Sequence, residues 1–270
     1  MTKSGFIQLA QQAAQKEEWA QLTQVLQQAL VAGDESWLLD EQGMLLDLAV
    51  QVLEEGEFQE QWDAAKLFLA FGEGAIAPLV ELIQDEDARL DSRWFAARIL
   101  GELNHPQAVH ALLKLLENTD DEELSEIAAR ALANLGVAAI SALSSLLERD
   151  DTRSLAVQAL CQIRRSETID PLLSVVHDPD PSLRSQILEA LSSFHDPRVP
   201  PVLLAALTDP SALVRRAAIS GLSARADLAP ELDLVNRLSS NLWDLNIGVC
   251  QEAALALGRL KQDAAVPILL

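Results

Sequence analysis

Residues 177–216 carry one short pattern twice, and that repetition limits the chain to very few architectures. Asp178-Pro179 is followed by Leu183-Arg184, an apolar helical stretch and His195-Asp196-Pro197, and Asp209-Pro210 opens a second copy in which Val214-Arg215 follows. The copies start 31 residues apart. A period of that size, built from two amphipathic helices and two Asp/Pro turns, predicts helix pairs stacked on one another: an all-α chain of the α-solenoid class. A solenoid sets its own length by adding repeats, so 270 residues fit one continuous stack.

The pattern divides the chain at about residue 73. Residues 1–72 form a helical N-terminal segment outside the repeat, reading as about four irregular helices near 4–15, 17–31, 41–54 and 58–71, with Gly33, Gly56 and Gly72 at helix ends. It carries twelve acidic side chains against three lysines, and nine of the chain's eleven aromatic residues lie before position 96. Residues 74–270 read as six repeats plus a C-terminal half-repeat at 264–270. Each repeat has a helix A, as in Ala75-Ile76-x-Pro78-Leu79-x-x-Leu82, and a helix B. The B helices align best: Ala96-Ala97-Arg98-Ile99-Leu100 matches Ala128-Ala129-Arg130-Ala131-Leu132, and later copies place Leu160, Leu191, Leu222 and Leu257 at the Leu100 position. Those leucines, with Ala96 and Ala128, are the expected core. Pro78, Pro171 and Pro267 fall in first turns of A helices, where no backbone N–H is needed.

The pattern over residues 168–191, and more weakly 199–222, resembles HEAT repeats of the phycobilisome-lyase-like type, a resemblance that covers roughly three quarters of the chain. It implies a helical solenoid and a binding role. One run points further: Ser92-Arg93-Trp94-Phe95-Ala96-Ala97-Arg98-Ile99-Leu100-Gly101 resembles the first repeats of E/F-type phycobilin lyases, although Arg98-Ile99 stands where that family tends to carry further aromatics. Those lyases attach an open-chain tetrapyrrole to a cysteine of an antenna subunit, usually as a pair of HEAT chains. The resemblance therefore implies a bilin as a possible ligand, a phycobiliprotein target and a second HEAT-repeat chain. The His-Glu dipeptides of the deoxyhypusine hydroxylase type do not occur here.

Charge and composition narrow the function. A formal net charge of −21 repels phosphate backbones and anionic lipid, so neither nucleic acid nor a membrane surface is an expected partner. No unbroken apolar run approaches the ~18 residues of a membrane span. The start of the chain lacks the pattern of a secretory leader, and Cys161 and Cys250 lie too far apart in a solenoid to pair, which suits a reducing, cytoplasmic setting. His105, His110, His177 and His195 are too scattered for a metal cluster, and no metal ligand set, resident cofactor or catalytic residue is identified. Arg93, Arg153, Arg184 and Arg215 are expected to bond turn carboxylates of their own or the next repeat, among Asp87, Asp151, Asp180 and Asp209.

If the buried stripe of helix B runs through Ala96, Leu100 and Leu103, the helical period turns Trp94, Phe95 and Arg98 outward; the alternative is that the N-terminal helices, residues 58–71 among them, fold back and cover Trp94 and Phe95. The equivalent positions further on include Ile127, Arg130, Gln158, Gln186, Glu189 and Arg216. These residues are the expected binding surface for a protein partner, or for a bilin, on the concave face of the stack. The reading is a non-catalytic protein-binding scaffold assisting assembly or turnover of a larger complex, with phycobilisome-related work as its specific form. A bilin lyase or lyase subunit, and a metal-cluster carrier using a cysteine with a partner's ligands, are the alternatives.

Overall fold

A computed structural model describes residues 3–33 and 35–269, and among them every regular element is a helix. Two compact units emerge, Met1–Leu146 and Leu147–Leu270. In the first, α1 (Lys3–Gln15), α2 (Trp19–Ala32), α3 (Glu35–Glu55), α4 (Phe58–Ala65) and α5 (Phe68–Phe71) precede α6 (Ile76–Gln84), α7 (Leu90–Leu100), α8 (Pro106–Asn118), α9 (Glu122–Asn134) and α10 (Val137–Leu146). In the second, α11 (Asp150–Ile163) is followed by α12 (Ile169–Ser174), α13 (Pro181–Ser192), α14 (Val199–Ala206), α15 (Ala212–Ser223), α16 (Leu234–Ser239), α17 (Ile247–Leu260) and α18 (Val266–Leu269). The sequence pattern shifts near residue 73, whereas the compact units meet at 146/147.

Apart from the equally long pair α8 and α9, each A helix is shorter than the B helix that follows it, and within each unit consecutive B helices pack side by side: α7 against α9, then α11 on α13, α13 on α15 and α15 on α17. Ala96, Leu100, Ala128, Leu132, Leu160, Leu191, Leu222 and Leu257 are all fully buried at equivalent positions, as the periodicity predicts. Close approach at this seam requires small residues. A Cβ on Gly101 would lie 2.6 Å from the backbone of Ala131, and one on Gly221 would lie 2.2 Å from Ser192 Oγ and 3.1 Å from Leu203. The turns are capped as their chemistry dictates: Asp121 accepts from the Leu124 N–H, Asp180 from that of Ser182 and Asn246 from that of Gly248.

In the second unit the arginines form a regular ladder. Arg184 grips the carboxylate of Asp209 with Nε and Nη2, at 3.0 and 2.8 Å, while its Nη1 donates to the carbonyls of Asp178 and Pro179. Arg215 repeats this with Asp244, at 2.7 Å on both oxygens, and with the carbonyls of Asp209 and Pro210. Arg153 reaches Asp178 at 3.5 Å, pairs with Asp150 at 2.7 Å and donates to the Leu147 carbonyl. Each guanidinium thus ties its own turn to the carboxylate of the next repeat. Among the described residues the Arg93 guanidinium bonds only the Ile83 carbonyl, so it is no member of the ladder. At the equivalent place in α17 stands Cys250, whose thiol meets the Asp244 carbonyl at 3.2 Å and reaches no further.

Phe58–Gln84 contains a window apolar and long enough to cross a bilayer by length and composition, although Glu73 and Glu81 break its apolar run. Here it is interrupted by a turn at 66–67 and a 3-10 turn at Gly72–Ala75, where Gly72 has a φ of +56°, and Phe68, Phe71, Ile76, Leu79 and Ile83 are buried in the first unit. Of the half-repeat at 264–270, a 3-10 turn and α18 are formed, Ala265 is buried and Val266 is exposed; Leu270 lies outside the described residues.

Candidate protein-binding surfaces

In the first unit an aromatic cluster surrounds the predicted run. Phe95 is fully buried, with the ring of Phe58 at 5.3 Å, that of Trp62 at 6.3 Å and that of Trp94 at 5.1 Å. Helix α4 lies across the base of α7 and covers this side chain. Phe95 is therefore core, which corrects its expected outward placement, and Ile127 one repeat later is buried as well. The cluster opens to solvent at its rim: Phe58 is 58% exposed, and Trp62 and Trp94 are half-buried. The Arg98 guanidinium stacks over Trp62, 4.2 Å from the ring centroid, and reaches Glu102 at 3.7 Å. Arg130 is exposed on α9, and among the described residues it has no ion-pair partner.

In the second unit Gln158, Gln186 and Glu189, all predicted, come together with Cys161, Gln162 and Arg164 around an open groove of about 410 Å³ between α11 and α13. Burial first, and then the Glu189 carboxylate, push the Cys161 thiol up to about 12. Its Sγ faces the Gln186 carbonyl at 3.8 Å. At pH 8 such a thiol is ionised to roughly one part in ten thousand, so iodoacetamide should alkylate Cys161 very slowly in the native chain and rapidly once denaturant is added. Labelling of native Cys161 at the rate of a free cysteine, read by peptide mass mapping, would show that the groove does not hold it this way. Arg216 does not line the groove; it is exposed on α15, with its stem beside Gly248. Both cysteines are free, and no three His, Cys, Asp or Glu side chains converge as metal ligands among the described residues.

The family model for HEAT repeats matches residues 46–132, 76–154 and 140–223, well over half of the chain. The chain belongs to the HEAT-repeat family. A second model, the PBS lyase HEAT-like repeat, matches residues 249–270. No curated protein matches the chain. Among solved structures it is similar to the karyopherin Kap121p bound to the SUMO protease Ulp1p, with 16% identity over 92% of this chain and a TM-score of 0.62; it spans about a third (32%) of that karyopherin's length. YibA of Escherichia coli shares 18% identity over 87% of this chain and 89% of its own, with a TM-score of 0.53. The CpcE–CpcF complex of phycocyanin lyase from Nostoc shares 22% identity over 83% and 94% of the two chains, but its TM-score of 0.41 is too low to bear on fold or function. These likenesses show the fold alone.

The HEAT match begins at residue 46, upstream of the first repeat read from the sequence, and explains the aromatic cluster. Ala64-Ala65-Lys66-Leu67-Phe68 repeats Ala96-Ala97-Arg98-Ile99-Leu100 at a spacing of 32 residues. In this register Trp62 is the counterpart of Trp94, and Lys66, Arg98 and Arg130 stand at one position of three successive HEAT repeats. Phe58 and Trp62, which the sequence reading missed, are thus legible in this copy.

Proposed function

We propose that this HEAT-repeat chain is a non-catalytic scaffold that grips a protein partner on the B-helix face of its first unit. The observation that carries the reading is the register of Trp62 with Trp94 and of Lys66 with Arg98 and Arg130. Half-exposed tryptophans beside arginines are the side chains that most often dominate interface energetics, because they desolvate a large area and still offer directed donors. In a chain of net charge −21, long-range steering favours a basic partner, and this cationic ridge takes carboxylates from that partner at short range. The scaffold calls for no cofactor, and its two free thiols suit the cytoplasm.

Its specific form is assembly or turnover of a phycobilisome-related complex, with a phycobiliprotein or a second HEAT chain as partner. The PBS lyase HEAT-like match at 249–270 and the run at 92–101 support this. A second reading, a bilin lyase or lyase subunit, is favoured by one observation: a guanidinium stacked on an indole at a solvent-facing rim suits the propionates and flat conjugated system of a bilin. The two readings part on one preparation. The double charge reversal Arg98→Glu, Arg130→Glu should keep native helicity and recover at least tenfold less of the partner that the wild-type chain retains from its host, with no visible absorbance left on either chain once it is separated from its partner. Equal recovery by the variant overturns the scaffold reading, and a long-wavelength band that stays with the separated wild-type chain and is lost in the variant favours the bilin reading.

A further inference from the structure

The turn that opens α17 carries a second interaction surface, independent of the one just proposed. Three of its side chains are far more exposed than their chemistry warrants: Trp243 at 89%, Leu245 at 106% and Ile247 at 72%. The preceding HEAT repeat has Thr208, Pro210 and Ala212 at these places, and the one before has His177, Pro179 and Pro181. The intervening positions do the structural work. Asp244 accepts both Arg215 nitrogens and the Asn246 N–H, and Asn246 caps α17, just as Asp209 and Asp178 accept the N–H groups of Ser211 and Asp180. The fold needs Asp244 and Asn246, whereas Trp243, Leu245 and Ile247 are left exposed among the described residues. Apolar side chains left in water at sites where neighbouring repeats place small, polar or proline residues mark a contact surface.

Trp243 and Leu245 border a groove of about 690 Å³ whose other walls include Leu204, Leu207, Pro210 and Arg237. The remaining charges there, Arg215, Asp209 and Asp244, are engaged in the arginine ladder. Arg237 is not: its Nε donates to the Leu232 carbonyl, and among the described residues it has no carboxylate partner. Arg216, which also has no carboxylate partner among the described residues, lies with its Cδ 3.5 Å from where a Cβ on Gly248, the residue after Ile247, would be. The apolar strip is therefore flanked by two uncompensated guanidinium groups.

We infer that the Trp243–Leu245–Ile247 strip and its groove dock a short acidic amphipathic segment of another protein. Its apolar side chains cover the strip, and its carboxylates meet Arg216 and Arg237. Charge selects this occupant. Ionic screening confines attraction to about 8 Å at physiological salt, so the two arginines act locally even in a chain of net charge −21. The same net charge makes the test discriminating, because nonspecific attraction to this chain favours basic ligands.

The probe is a labelled amphipathic peptide of Leu and Glu, titrated with the full chain and followed by fluorescence anisotropy, with a Leu/Lys peptide alongside. The expected result is saturable binding of the Leu/Glu peptide that weakens at least tenfold in the triple variant Trp243→Thr, Leu245→Pro, Ile247→Ala. This variant installs the residues that the preceding turn already tolerates, so the fold is kept. The double variant Arg216→Ser, Arg237→Gln should weaken it similarly without touching the strip. No saturable binding, binding unchanged in both variants, or capture of the Leu/Lys peptide alone overturns the inference. So does sedimentation of the wild-type chain as a dimer that the triple variant dissociates, since a second copy would then occupy the strip.

Discussion

Phe95→Ala should destabilise the chain by about 3–5 kcal/mol, the range for removing a buried aromatic ring and leaving a partly unfilled cavity. The side chain has no exposed surface, and the rings of Phe58, Trp62 and Trp94 stand around it at 5.1–6.3 Å. Deleting the ring removes its own burial and also the edge-to-face support of two half-exposed tryptophans. Urea denaturation followed by far-UV circular dichroism reads the effect as a fall in midpoint with little change in slope. A shift equivalent to less than about 1 kcal/mol would mean that α4 does not cover α7 as described. The same geometry rules out Phe95 variants as probes of binding, because they report on the core.

Arg184→Ala is expected to cost about 3 kcal/mol, and Arg184→Lys should recover little of it. The guanidinium makes four hydrogen bonds at once, two to Asp209 and one each to the carbonyls of Asp178 and Pro179, with both side chains of the pair only 14% exposed. Removing it strands a largely buried carboxylate. An ammonium group has no planar fork to span these four acceptors together. Full recovery by lysine would show that charge alone matters here. The ladder also sets the response to acid. Burial alone would raise the Asp209 carboxyl, but the Arg184 bonds and the Ser211 N–H outweigh it and hold the group below its ordinary value; Arg215 does the same for Asp244. Because the folded values lie below the unfolded ones near 4, this stabilisation is complete above about pH 4 and is lost as the pH falls through the folded values. Arg184→Ala should therefore flatten the loss of stability below about pH 4 relative to the wild-type chain.

Sequence periodicity located the helix pairs because apolar spacing within a helix is local information. Leu160, Leu191 and Leu222 recur in step, and each is fully buried. The burial of Phe95 was not legible from its own helix, since the covering side chains belong to the preceding repeat. That repeat is disguised by the turn at residues 66–67 and by its aromatic content, although Ala64-Ala65-Lys66-Leu67-Phe68 copies the B-helix pattern. Arg153, Arg184 and Arg215 stand at turn carboxylates as expected, whereas Arg93 bonds the Ile83 carbonyl instead, and of the four acids named only Asp209 receives a ladder arginine. Asp180 serves as a helix cap and Asp151 pairs with Arg149 at 2.8 Å, while the other ladder acceptors are Asp178 and Asp244, each in the repeat after its arginine. Of the eight predicted binding residues, Gln158, Gln186 and Glu189 share one groove, Trp94 and Arg98 border the aromatic rim, Arg130 and Arg216 are exposed on their helices, and Phe95 is core.

The ladder has a direction, and this bears on how such a chain can change its length. Every guanidinium sits one repeat ahead of its carboxylate, and both recur at a spacing of 31 residues from Asp178 and Arg184 to Asp209 and Arg215. A segment that begins at one ladder aspartate and stops just before the next contains one acceptor and one donor. Duplicating such a segment in tandem would leave every arginine with a carboxylate in the repeat after it, and excising one would orphan neither group. Growth or contraction by whole repeats is then nearly neutral for the charged clamps, and the stretch between a donor and its acceptor can vary, since 25 residues separate Arg184 from Asp209 and 29 separate Arg215 from Asp244. The series ends where Cys250 takes the arginine's place. A module grafted after that point would have to be held by apolar contact alone, unless the cysteine were first changed back to arginine.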